Sequence, residues 1–131
     1  MQELTHWING KHVKGASGRF ADVYNPATGE VQARVPLATR EELDAAVADA
    51  AQAQKAWAAT NPQKRGRVMM AMVGLINRDM DKLAEALSRE HGKTIPDARG
   101  DVQRGLEVIE YCINAAQMLK GEFTDGAGPG I

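Results

Sequence analysis

Hydrophobic positions along this 131-residue chain change their spacing once, near residue 36. Before that point apolar residues alternate or come in short runs broken by turn formers, which is the pattern of strands. From Thr39 to Gly121 they recur every three or four residues, which is the pattern of amphipathic helices. His6-Trp7-Ile8 and Lys11-His12-Val13 flank Asn9-Gly10, a pair that tolerates the positive φ angles of a type I′ turn, so a tight hairpin is expected. Phe20 to Tyr24 reads as a further strand and Asn25-Pro26-Ala27-Thr28-Gly29 as a turn. Glu30 to Val35 then alternates Val31, Ala33 and Val35 until Pro36 ends it.

Helix signals follow in order. Thr39-Arg40-Glu41-Glu42 has the capping-box form, in which hydroxyl and carboxylate satisfy each other's free amides, and Leu43, Val47, Ala50, Gln54 and Trp57 continue at helical spacing. Asn61 as cap with Pro62 first in line begins a second helix carrying Val68, Met72, Leu75 and Ile76. Met80, Leu83, Ala84 and Leu87 mark a third, closed by His91-Gly92, and Pro96 opens the fourth. The fold class expected is therefore α+β within this chain: an N-terminal β-hairpin and short strands, then about four helices. Three segments are expected: the strands over 1–36, the helices over 37–121, and a Gly-rich linker over 122–131, read as cut in mid-course because it follows a helix and leads nowhere. That context also excludes a dinucleotide fingerprint there.

The fourth helix carries two apolar stripes. Val102, Leu106, Ile109, Ile113 and Ala116 form one, and Val108, Tyr111, Ala115 and Met118 the other, with Arg104 inside the second. Burial on two sides is expected, and a guanidinium in an apolar stripe must find an anion, whether a side chain or the carboxylate of a ligand, because an unpaired buried charge costs several kcal/mol, roughly. Gly100 and Gly105 weaken this helix, which suggests close approach of another backbone or a ligand, or else tolerated weak points.

Charge and composition narrow the function classes. A net charge of -1 leaves no electrostatic footprint for nucleic acid or an anionic membrane, and no apolar run is long enough to span a bilayer. The start of the chain lacks a basic then apolar leader, so a cytoplasmic setting is expected. The single cysteine, Cys112, lies inside a helix without a basic sequence neighbour and reads as structural, and His6, His12 and His91 have no ligand spacing for zinc. Lys64-Arg65-Gly66-Arg67 reads as a solvated helix face.

Trp7-Ile8-Asn9-Gly10-Lys11, Asn25-Pro26-Ala27-Thr28-Gly29-Glu30-Val31, Ala50 to Trp57 and Arg89-Glu90-His91-Gly92-Lys93, in this order and at this spacing, resemble the N-terminal portion of the aldehyde dehydrogenase superfamily. Gly100-Asp101-Val102-Gln103-Arg104-Gly105-Leu106-Glu107 resembles its acylating methylmalonate-semialdehyde dehydrogenases. The resemblance implies a fragment of the α/β aldehyde dehydrogenase fold. It also implies an enzyme in which a cysteine thiolate attacks the aldehyde, hydride leaves the thiohemiacetal for NAD, and coenzyme A takes the acyl group as co-substrate. With it come a semialdehyde substrate, a homo-oligomer when complete, and a place in valine or inositol catabolism.

Members of the family are several times longer, and their nucleophilic cysteine, general-base glutamate, oxyanion-hole asparagine and most of the NAD site match nothing here. No catalytic or cofactor-binding residue is therefore assigned, the chain alone is expected to be inactive and to bind neither NAD nor coenzyme A, and its partner is the missing C-terminal part. By resemblance Arg104 holds the substrate carboxylate. More loosely, Asp101 joins backbone carbonyls of Val23 or Tyr24 around a structural monovalent cation, although an ordinary helix-surface aspartate fits as well. Two alternatives remain open at this point: a non-catalytic helical module that binds a protein partner through its second apolar face, and the N-terminal piece of another subfamily, such as a betaine-aldehyde or succinate-semialdehyde enzyme.

Overall fold

A computed structural model describes residues 2–130. The elements are β1 (Gln2–Glu3), β2 (His6–Ile8), β3 (Lys11–Val13), β4 (Phe20–Tyr24), β5 (Val31–Pro36), α1 (Arg40–Ala59), α2 (Pro62–Arg78), α3 (Met80–His91), α4 (Ile95–Cys112) and the single turn α5 (Ala115–Met118). β2 and β3 pair as the expected hairpin, with Asn9 at φ 51° and Gly10 at φ 72°. β5 lies in the middle of a second sheet, antiparallel to β4 and parallel to β1. The β1 strand has no sequence signal: only its register beside β5 makes it one. Pro36 ends β5 as expected, as the last residue of the strand and opposite Phe20.

Local chemistry explains where the helices start. The Thr39 hydroxyl accepts from the Glu42 amide at 3.1 Å while the Glu42 carboxylate accepts from the Thr39 amide at 2.8 Å, completing the capping box of α1. The same carboxylate accepts from the Ala16 amide at 2.7 Å, so one side chain caps a helix and ties the loop after β3 to it. Asn61 caps α2 and Gly92 ends α3 in the left-handed conformation at φ 81°. Thr94, not foreseen as a cap, holds the start of α4 by accepting from the Asp97 amide.

The last helix differs from expectation. It does not run on to Met118 but breaks at Ile113 and Asn114, where the Asn114 amide bonds back to the Tyr111 carbonyl at 3.1 Å and the ladder tightens to three-residue bonds. Gly66 of α2 lies against this break. A Cβ at Gly66 would stand 2.8 Å from the Ile113 carbonyl oxygen, so α2 meets the backbone at the break and only glycine allows it. Gly100 and Gly105 have nothing of this chain within 4 Å of a would-be Cβ; the close backbone approach within the chain is at Gly66.

The core is small. Among the described residues Ala33 and Pro36 of β5, Ala84 of α3, and Ala98 and Leu106 of α4 are buried apolar side chains, and α4 packs on α3 and α2. The accessible surface is 10132 Å². A compact monomer of this length exposes roughly 6,700 Å². Large apolar side chains stand on that extra surface, Val108, Tyr111 and Met118 among them, and the second stripe of the last helix is open surface rather than a buried face.

Candidate functional site

Arg104 stands on α4 at the N-terminal end of that uncovered stripe, with its side chain 80% exposed. The guanidinium is therefore not buried among the described residues, where this end of the stripe has no cover. It has nonetheless found an anion: its Nη1 donates to Asp101 Oδ1 at 3.1 Å, one helical turn back. The other carboxylate oxygen, Oδ2, accepts from Lys93 Nζ. Asp101 thus holds one cation on each oxygen, and the bond from Lys93, more than the charge of Arg104 or His91, keeps its carboxyl below the usual carboxylate range.

Lys93 is the residue that sequence reasoning quoted without giving it a role. It lies between α3 and α4, directly after the left-handed Gly92, and the Ser88 hydroxyl donates to its carbonyl at 2.7 Å. Gly92 itself sits against the Asn25–Gly29 turn, where a Cβ would meet Pro26 Cγ at 2.9 Å. Gln32 Nε2 spans the same junction, donating to the Tyr24 and Arg89 carbonyls at 3.2 and 3.4 Å. The turn after β4, the end of α3 and the start of α4 are joined here, and the Lys93–Asp101–Arg104 chain leads outward from that joint.

Both oxygens of Asp101 already accept from a cation, Oδ1 from Arg104 and Oδ2 from Lys93, so its charge is shared between them. Among the described residues no group of three or more His, Cys, Asp or Glu side chains is placed to hold a metal ion. Cys112 is the last residue of α4, exposed, and shares a shallow hollow with Trp57, Arg65, Gly66, Met69 and Ala115. A wider apolar groove of about 370 Å³ runs between α2, α3 and α4, lined by Ile76, Leu83, Leu87, Val102, Leu106 and Ile109. No described helix is long and apolar enough to cross a membrane.

The aldehyde dehydrogenase family profile matches residues 12–130. A protein of Sinorhizobium meliloti described as a methylmalonate-semialdehyde dehydrogenase, crystallised with NAD, is 59% identical and superposes with a TM-score of 0.92 over 99% of this chain and 26% of its own. The malonate-semialdehyde dehydrogenase of Pseudomonas aeruginosa is 42% identical over 100% of this chain and 26% of its own length. The human mitochondrial acylating methylmalonate-semialdehyde/malonate-semialdehyde dehydrogenase is 41% identical over 88% of this chain and 22% of its own. The chain spans about a quarter of the length of the relatives it matches.

Proposed function

Because this chain belongs to the aldehyde dehydrogenase family, we propose that it is the N-terminal part of an NAD-dependent, coenzyme A-acylating dehydrogenase of methylmalonate or malonate semialdehyde. The remaining three quarters of such an enzyme would cover the open stripe of α4. What supports the reading is the position of Arg104: a guanidinium held by one neighbour, in an apolar surface that awaits a cover. Once covered, its remaining donors lose water and need an acceptor, and a planar carboxylate matches the fork in both position and angle. Arg104 orients the substrate and takes no part in bond making.

The groove between α2, α3 and α4 is lined mostly by apolar side chains, with Asp101 among them. No step through NAD or coenzyme A is assigned to side chains of this segment. Asp101 serves as the anchor of Lys93 and Arg104. A cytoplasmic homo-oligomer, working in valine or inositol catabolism, completes the proposal.

The test belongs in the complete enzyme carrying this segment. A charge-assisted hydrogen bond is worth roughly 1.5–3 kcal/mol, so Arg104→Leu should lower kcat/KM for methylmalonate semialdehyde by about one to two orders of magnitude. Propanal, which has no carboxylate, should lose far less. Equal loss on both substrates would make Arg104 a structural ion-pair residue and remove the substrate assignment.

A further inference from the structure

We propose that Lys93 is a positioning residue for carboxylate recognition: by taking one oxygen of Asp101, it keeps the positive charge of Arg104 available to the substrate. The inference rests on the proposed role of Arg104 and adds a residue that never touches the ligand.

Charge counting leads to it. Arg104 and Asp101 alone form a neutral pair, in which an incoming carboxylate would compete with the aspartate for the same guanidinium. Adding Lys93 makes two cations and one anion, and the group carries one unit of uncompensated positive charge, matched to a monoanion. His91 also lies close enough for its charge, when present, to act on Asp101. The geometry divides the work: Lys93 Nζ takes Oδ2 and Arg104 Nη1 takes Oδ1, so Asp101 is shared and the rest of the guanidinium fork faces outward.

Lys93 is placed for this by its backbone rather than by chance contact. The left-handed Gly92 turns the chain out of α3, Ser88 holds the Lys93 carbonyl, and Pro26 packs on the turn from the other side. The Lys93 side chain is only 23% exposed, against 80% for Arg104. The inner cation is largely covered by its surroundings, whereas the outer one is presented to solvent.

In the complete enzyme, Lys93→Met should raise KM for methylmalonate semialdehyde about five- to tenfold, as loss of one partly screened charge several ångströms from the ligand implies, with kcat nearly unchanged. Turnover of propanal should stay at the parent level, and Lys93→Arg should restore KM. A fall in both substrates together would make Lys93 a plain staple between α3 and α4 and overturn the inference. So would an unchanged KM. If Arg104→Leu is selective for the carboxylate substrate while Lys93→Met is silent, the role of Arg104 stands and that of Lys93 falls; if Arg104→Leu is not selective, both fall.

Discussion

α1 and α4 are nearly equal in length, 20 and 18 residues, yet they stand at opposite ends of the packing scale. α1 has the better helix sequence: Ala-rich, free of glycine and closed by a complete capping box. None of its residues is buried. α4 has glycines at 100 and 105, which weaken a helix, yet it supplies Ala98 and Leu106 to the core. Local propensity and capping thus decide whether a helix forms, and neighbours decide whether it is buried. α1 has its hydrophobic positions ready, with Leu43, Val47 and Trp57 all exposed, and waits for a surface to set them against.

The sharpest way to break this comparison is to cut one leucine from each helix. Leu106 is 2% exposed, and Leu106→Ala should cost about 2–5 kcal/mol through lost contacts and the cavity left between α3 and α4. Leu43, at 54% exposure, should change stability by no more than about 0.5 kcal/mol when cut to alanine. Urea unfolding followed by far-ultraviolet circular dichroism reads both, and equal costs would mean that α1 packs in solution on something the fold does not show.

A smaller effect tests the contact at the end of α4. Gly66→Ala places a methyl 2.8 Å from the Ile113 carbonyl oxygen and should destabilise by about 1–3 kcal/mol through overpacking. Gly74→Ala, in the same helix with nothing within 4 Å, should stabilise by about 0.4–1 kcal/mol by restricting the unfolded chain. Opposite signs in thermal melts support the close approach of α2 to the break. The same sign at both positions removes it.

The smallest expected effect lies at the α1 cap. Amide hydrogen bonds from Thr39 and then Ala16 hold the Glu42 carboxyl below its ordinary value of 4.5, against a smaller opposing effect of burial. A depressed folded-state value means stability that is present above the unfolded pKa and lost as pH falls through the folded one. Stability should therefore decline below about pH 4.5. Glu42→Gln should make that part of the profile shallower while leaving the neutral-pH fold in place. An unchanged acid limb would show that the carboxylate neither caps α1 nor ties down the loop at Ala16.

Much of this was legible in the residues. The Asn9-Gly10 turn, the Thr39–Glu42 box, the Asn61-Pro62 start and the Gly92 stop each depend on groups a few positions apart, so the order of strands and helices could be read before any packing was known. The site was legible only in part. Arg104 drew attention because its charge broke an apolar stripe, and its nearest partner, Asp101, was one turn away on the same helix. Lys93 gave no signal, since eight residues and a left-handed turn separate it from the carboxylate it binds.

By itself, then, the sequence determined the family, the element order and the chemistry on offer, because these rest on residue identity and short-range spacing. Tertiary structure alone decided that Gln2 and Glu3 become a strand beside Ala33 and Arg34, that α4 breaks where Gly66 meets Ile113, and that Asp101 is shared between two cations. It also left the second stripe of α4 open. The physical reason is the same in each case: these outcomes depend on which distant backbone or charge arrives at a position, and arrival is settled by packing rather than by propensity.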